Sequence, residues 1–188
     1  AGALDALRTV AQAGSKLCKE RALAALFELE QDKRMERLQK QASVVDVGSG
    51  RPPPPHVMVS YNWDHQEVIL RVVASLQDRG YLVWVDTEQM KGATVDTMAL
   101  AVEGSEVVLI GVSRAYKESS NCRMEAQYAL QKKKALIPLM LTQGYEADGW
   151  LGLLLGTSMW YAYYGETLRS ASAFESRMDG LCLSLIHI

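Results

Sequence analysis

The sequence predicts an α/β domain, built as a central parallel five-stranded sheet with helices on both faces and preceded by a short α-helical segment. Three observations carry this. Apolar runs of strand length alternate with helix-like stretches from residue 56 onward. The strand candidates are continuously apolar, as in Val107–Val112, and such strands are covered on both faces, the habit of a parallel sheet. Finally, a four-proline run, Pro52–Pro55, favours extended polyproline and separates this region from a leading helical one.

The leading segment, residues 1–43, has the helical period. Leu4, Leu7, Val10 and Ala11 form one apolar stripe, Gly14–Ser15 interrupts it, and Ala22, Ala25, Leu26 and Leu29 form a second. The stretch GALDALRTVAQAGSKLCKERALAALFEL resembles the last two helices of an armadillo repeat, with a generic helical hairpin as the alternative. A lone hairpin cannot bury both faces, so the expectation is an incomplete repeat array with stacked partners upstream. Residues 44–55 are the linker and 56–182 the main domain.

Within that domain Val57–Ser60 is the first strand. Asp64 and Glu67 form a D-x-x-E capping pair ahead of Ile69, Val72, Val73 and Leu76, and Gly80 closes the helix. Tyr81–Val85 is the second strand, followed by the turn-rich stretch DTEQMKGAT and a short helix near Asp96–Val102. Val107–Val112 is the third strand, Cys122–Lys133 a helix, Ala135–Leu141 the fourth strand, Trp160–Tyr161 a short fifth and Glu166–Leu181 the last helix. Pro138 lies inside the fourth strand and lacks a ladder donor, which predicts a bulge or a free N–H side there. The final Leu183–Ile188 resembles the in-frame translation of a transposase adapter used in sequencing libraries. It is expected to be non-native and without defined packing.

Composition narrows the function. A net charge of −2, from 20 basic and 22 acidic residues, gives no electrostatic reason to expect nucleic acid or an anionic membrane as a partner. Lys132–Lys134 is the one dense basic run and reads as a solvated helix end. Cys18, Cys122 and Cys182 are scattered and odd in number, which points to a reducing, cytoplasmic setting. No apolar run reaches the ~18 residues of a membrane span. The turn after the first strand, Ser60–Asp64, has no glycine, which argues against dinucleotide binding of the Rossmann kind. A phosphate loop is absent, Ser113–Arg114 stands where a phospho-acceptor aspartate would follow the third strand, and His56, His65 and His187 form no metal or triad pattern.

Three boxes in order remain: HVMVSYNWD, YLVWVDTEQMKGAT and SSNCRMEAQYALQKKKALIPLML. Together they resemble the TIR (Toll/interleukin-1 receptor) family over about His56 to Leu181. That resemblance implies a flavodoxin-like fold and intracellular signalling through self-association and contact with other TIR domains. It assigns Met90, Lys91 and Gly92 to the BB loop that mediates those contacts. Some members also cleave NAD+ to nicotinamide and ADP-ribose or its cyclic form, with NAD+ as substrate and no resident cofactor. In those members a glutamate in the third helix is essential, and counting back from Ile137–Pro138 puts Glu125 there. The alternative is a non-enzymatic scaffold that recruits other TIR proteins, with Glu125 a solvated first-turn glutamate.

On the enzymatic reading Tyr61, Asn62, Trp63, Asp86 and Glu88 are candidate substrate contacts. Tyr61 and Trp63 lie just past the first strand, where open α/β sheets bind ligands, whereas Trp84 reads as core. The sequence departs from the enzymatic pattern at Asn121, where a tryptophan is frequent, and at Asn62 and Trp63, where an NAD+-cleaving animal member of the family has basic residues.

Overall fold

The computed structural model describes residues 56–85 and 95–188, all within one compact unit of the chain. The helical segment 1–43, the linker 44–55 and the loop residues Asp86, Glu88, Met90, Lys91 and Gly92 lie outside the described residues.

Strand β1 (His56–Ser60) is followed by a 3-10 turn (Trp63–His65), α1 (Gln66–Asp78) and β2 (Leu82–Val85). Then come α2 (Val95–Gly104), β3 (Val107–Val112), α3 (Arg114–Glu118), α4 (Ser120–Gln131) and β4 (Ala135–Met140). The chain ends with α5 (Gly149–Leu155), β5 (Tyr161–Ala162), α6 (Glu166–Arg169) and α7 (Ala171–Ile186). The five strands pair in parallel in the order β2-β1-β3-β4-β5. That is the flavodoxin-like order, whose direction reverses between β1 and β3. α2 and α4 pack on each other and on β1, while α1 and α7 pack together elsewhere on the sheet. Every residue of β3 is buried, as expected of a central strand covered on both faces.

Several local expectations are corrected. The D-x-x-E pair forms no cap: Asp64 sits inside the 3-10 turn, and Asn62 caps that turn by accepting from the Asp64 N–H. α1 then starts at Gln66 without a side-chain cap. Its other end is as expected. Gly80 has φ +89°, and the Gly80 and Tyr81 N–H groups donate to Gln77 and Leu76, closing the helix in a Schellman turn. Pro138 makes no bulge, because β3 and β4 stay in register through Ile110↔Pro138. Met140 accepts from the Tyr163 N–H at 2.8 Å, so Pro138, two residues earlier, faces the same side, ahead of the Leu139↔Tyr161 pair where the β5 ladder begins. It is thus the free-side alternative that the backbone adopts.

The last helix is split, because extended Ser170 ends α6 and its hydroxyl accepts from the Ala173 N–H to start α7. α7 then runs to Ile186, so the expectation that Leu183–Ile188 has no defined packing is also corrected. Phe174, Met178, Leu181 and Leu185 recur at helical spacing and are all buried. Ser184 shares a 2.5 Å hydrogen bond with the Tyr161 hydroxyl. Lys132 and Lys134 are fastened to the end of α2. Lys132 pairs with Glu103 at 2.7 Å, and Lys134 donates to the Glu103 and Ser105 carbonyls.

Candidate functional site

Open α/β sheets offer a ligand crevice beyond the C-terminal ends of their strands, at the point where strand order reverses. Here that point is the exit of β1, beside β3, and Ser60 is the residue that ends β1. The chain leaves β1 across β3 at Gly111, where an added Cβ would stand 2.9 Å from the Tyr61 Cβ and 3.0 Å from the Leu141 Cδ1. Glycine at 111 therefore makes room for the turn that carries Tyr61.

α3 and α4 close over this exit. Ser113 follows β3 and caps α3 by accepting from the Tyr116 N–H, which fixes Tyr116 pointing inward. Ser119 caps α4 by accepting from the Cys122 N–H, and the Cys122 thiol donates to the Tyr61 carbonyl at 3.5 Å. The first turn of α4 is thus tied to the β1 exit. Cys122, Ala126 and Ala129 form the buried face of α4, and Glu125 lies half-buried beside it.

At the centre is a chain of hydroxyls. The Ser60 Oγ donates to the Glu125 Oε2 at 2.5 Å, a length typical of hydroxyl-to-carboxylate hydrogen bonds. With that proton committed, the Ser60 oxygen is the acceptor for the Tyr116 hydroxyl, 2.8 Å away. The Tyr116 hydroxyl also donates to the Cys122 carbonyl at 3.3 Å, the longer of its two hydrogen bonds. Both hydroxyls are internal: Ser60 is 1% and Tyr116 0% exposed. Burial drives the Tyr116 phenol well above its ordinary pKa, against the opposing pull of the Ser60 hydrogen bond, so it remains a proton donor. Burial, reinforced by the Glu125 charge, pushes the Cys122 thiol up to about 11.

The residues singled out from sequence fare differently. Glu125 is sixth in α4 and so in its second turn, not its first, beyond the strongest part of the helix dipole. Its carboxylate accepts a hydrogen bond from the Ser60 hydroxyl. Tyr61 is 5% exposed, packed over Gly111, and its side chain belongs to the core instead of the crevice rim. Asn62 is used internally: its Oδ1 caps the 3-10 turn and its Nδ2 donates to the Ala115 carbonyl at 3.3 Å. Trp63, half-buried in that turn, keeps part of its surface exposed near the β1 exit, and Asn121 is exposed at the start of α4. Trp84 packs partly buried against the core, as expected. Ser60 and Tyr116 received no role from sequence. The available signals were a polar residue ending the apolar strand HVMVS and a tyrosine three residues after a capping serine.

The sequence model of the TIR domain matches residues 57–175. The chain belongs to the TIR-domain family. Among solved structures, the crystal structure of the TIR domain of the Toll-related receptor TRR-2 from Hydra magnipapillata is similar, with a TM-score of 0.53 and 15% sequence identity. That match covers 69% of this chain and 96% of the other, and it supports the same fold. No curated protein matches the sequence. As a TIR domain the chain is a signal-transduction module. Among the described residues no helix is long and apolar enough to cross a membrane.

Proposed function

We propose that this TIR domain signals through self-association and cleaves NAD+ to nicotinamide and ADP-ribose, or its cyclic form, using Glu125. The observation that supports this most is the half-buried Glu125 carboxylate at the strand-order reversal, with one oxygen held by a buried hydroxyl.

One carboxylate is sufficient for this chemistry. The bond between the ribose C1′ and the pyridinium nitrogen breaks, and its electron pair leaves with nicotinamide, which departs neutral and needs no general acid. O-glycosidases need a second carboxyl group because their leaving oxygen must be protonated. Positive charge builds on the ribose as the bond lengthens, and a fixed anion beside the sugar stabilises it more than the ground state. Water then adds at C1′ and releases a proton. Trp63, half-buried in the turn just past the β1 exit, is the candidate for stacking on a substrate ring.

The test is to incubate concentrated protein with NAD+ and follow nicotinamide by chromatography, with light scattering on the same samples. Release of nicotinamide by an assembling protein is the expected result. Assembly with no release at any concentration would leave the scaffold as the function and remove the enzyme.

A further inference from the structure

Two hydroxyls buried in apolar surroundings need an explanation, because alanine and phenylalanine would fill the same space without a polar group to satisfy. Ser60 follows Val57, Met58 and Val59 in a buried strand, and Tyr116 is among the largest fully buried side chains. Because the Ser60 Oγ gives its proton to the Glu125 Oε2, the Tyr116 Oη is left as the donor to the Ser60 Oγ. The three residues come from β1, α3 and α4, so only the folded domain assembles them.

We propose that Ser60 is a positioning residue for Glu125 and that Tyr116 is the second link of the same relay. A glutamate on the rim of a helix has several rotamers open to it, and most turn its carboxylate toward water. The Ser60 hydroxyl favours the one that brings Oε2 within 2.5 Å of its Oγ. Tyr116 in turn fixes the Ser60 hydroxyl by occupying its acceptor lone pair, which leaves the Ser60 proton aimed at Glu125. Hydrogen bonds in such a chain polarise one another, so the phenol strengthens the bond that Glu125 receives. A hydroxyl that donates to the charged form also favours ionisation.

The kinetic consequences rest on the NAD+-cleavage reading of Glu125, whereas the ionisation consequences do not. Two titratable groups among the described residues feel the Glu125 charge, the Tyr116 phenol and the Cys122 thiol. Both stay neutral throughout the acid range, the first raised well above its usual value and the second raised to about 11.

The experiment is a carbon-13 NMR titration of the Glu125 carboxyl in the full chain. The samples are the wild type, Ser60→Ala, Tyr116→Phe, the double variant and Ser60→Thr, with kcat and KM for NAD+ measured alongside. Loss of the hydroxyl in Ser60→Ala raises the Glu125 midpoint by about one pH unit, the size expected for one hydrogen bond to a charged group. Tyr116→Phe raises it less, and adding that change to Ser60→Ala does nothing further, because the links are in series. Ser60→Thr keeps the hydroxyl and returns the midpoint toward wild type. In kinetics, the Ser60→Ala loss falls on kcat more than on KM, and the acid limb of the kcat profile moves up with the midpoint. A Glu125 midpoint unchanged in Ser60→Ala and in Tyr116→Phe overturns the relay. If the wild type releases no nicotinamide, the proposed activity fails, and the titration still decides the relay.

Discussion

Glu125→Gln separates the catalytic role from a purely structural one because the two depend on different properties of the side chain. Glutamine keeps the length and an oxygen that can still accept from the Ser60 hydroxyl, now 2.5 Å from the carboxylate. The stability change is then the difference between a hydrogen bond to a charged group, about 1.5–3 kcal/mol, and a neutral one, about 0.5–1.5 kcal/mol. Relief of a half-buried charge offsets part of this, leaving a loss of about 1 kcal/mol or less. That corresponds to a fall in melting temperature of roughly 2–6 °C for a domain of this size. Turnover responds on another scale. Removing one preorganised electrostatic group costs about 10²–10³-fold in kcat, equivalent to roughly 2.7–4 kcal/mol in the transition state. Glu118, exposed at the end of α3, is the matched control, and Glu118→Gln should leave both quantities near wild type. The assays are nicotinamide release at saturating NAD+ and a thermal melt on the same preparations. Glu125→Gln protein that melts slightly lower and cleaves NAD+ as fast as wild type would refute the catalytic assignment.

Three further outcomes follow from the packing. Gly111→Ala drives a Cβ to 2.9 Å from the Tyr61 Cβ and should destabilise the domain by about 1–3 kcal/mol in urea denaturation; an unchanged midpoint would show the β1 exit to be slack. Leu185→Ala empties a buried position of α7 and should cost about 2–5 kcal/mol; a melting temperature equal to wild type would mean that the end of α7 contributes nothing to the fold. With its pKa near 11, only about one Cys122 thiol in a thousand is ionised at pH 8, against about a quarter of ordinary thiols. Burial raises the Cys182 thiol as well, but less, so alkylation read by mass spectrometry should reach half-buried Cys182 before Cys122, and labelling of Cys122 as fast as in urea would contradict its burial.

What could be read from the sequence was what periodicity controls. Val107–Val112 was bounded to the residue, and Ala135–Met140 to within one, because a continuous apolar run in a parallel sheet has nothing to compete with it. Termini set by single side chains were harder. Ser119 and Ser120 resemble any other loop serines, so the sequence pattern starts α4 two residues late and places Glu125 in its first turn. Asp64 and Glu67 have capping spacing, but Asn62 reaches the free N–H groups first and turns Asp64 into part of a 3-10 turn. At the site, Glu125 was located by its place in a family motif. Ser60 and Tyr116 were not, since their meeting joins positions 56 residues apart. No local pattern encodes a contact of that range.

The margin of the sheet beyond β5 bears on how copies of this domain can meet. An ordinary strand offers about five or six residues of backbone to a newcomer. Here β5 offers two, and just before that ladder begins β4 turns toward the margin a proline, which has no N–H to give. Such a border cannot template one chain after another into a growing ribbon, the route by which open sheets turn into insoluble fibres. Gatherings of the domain on this side have to be stitched by side chains. The strength of such contacts is then set by side-chain chemistry and not by an open backbone ladder.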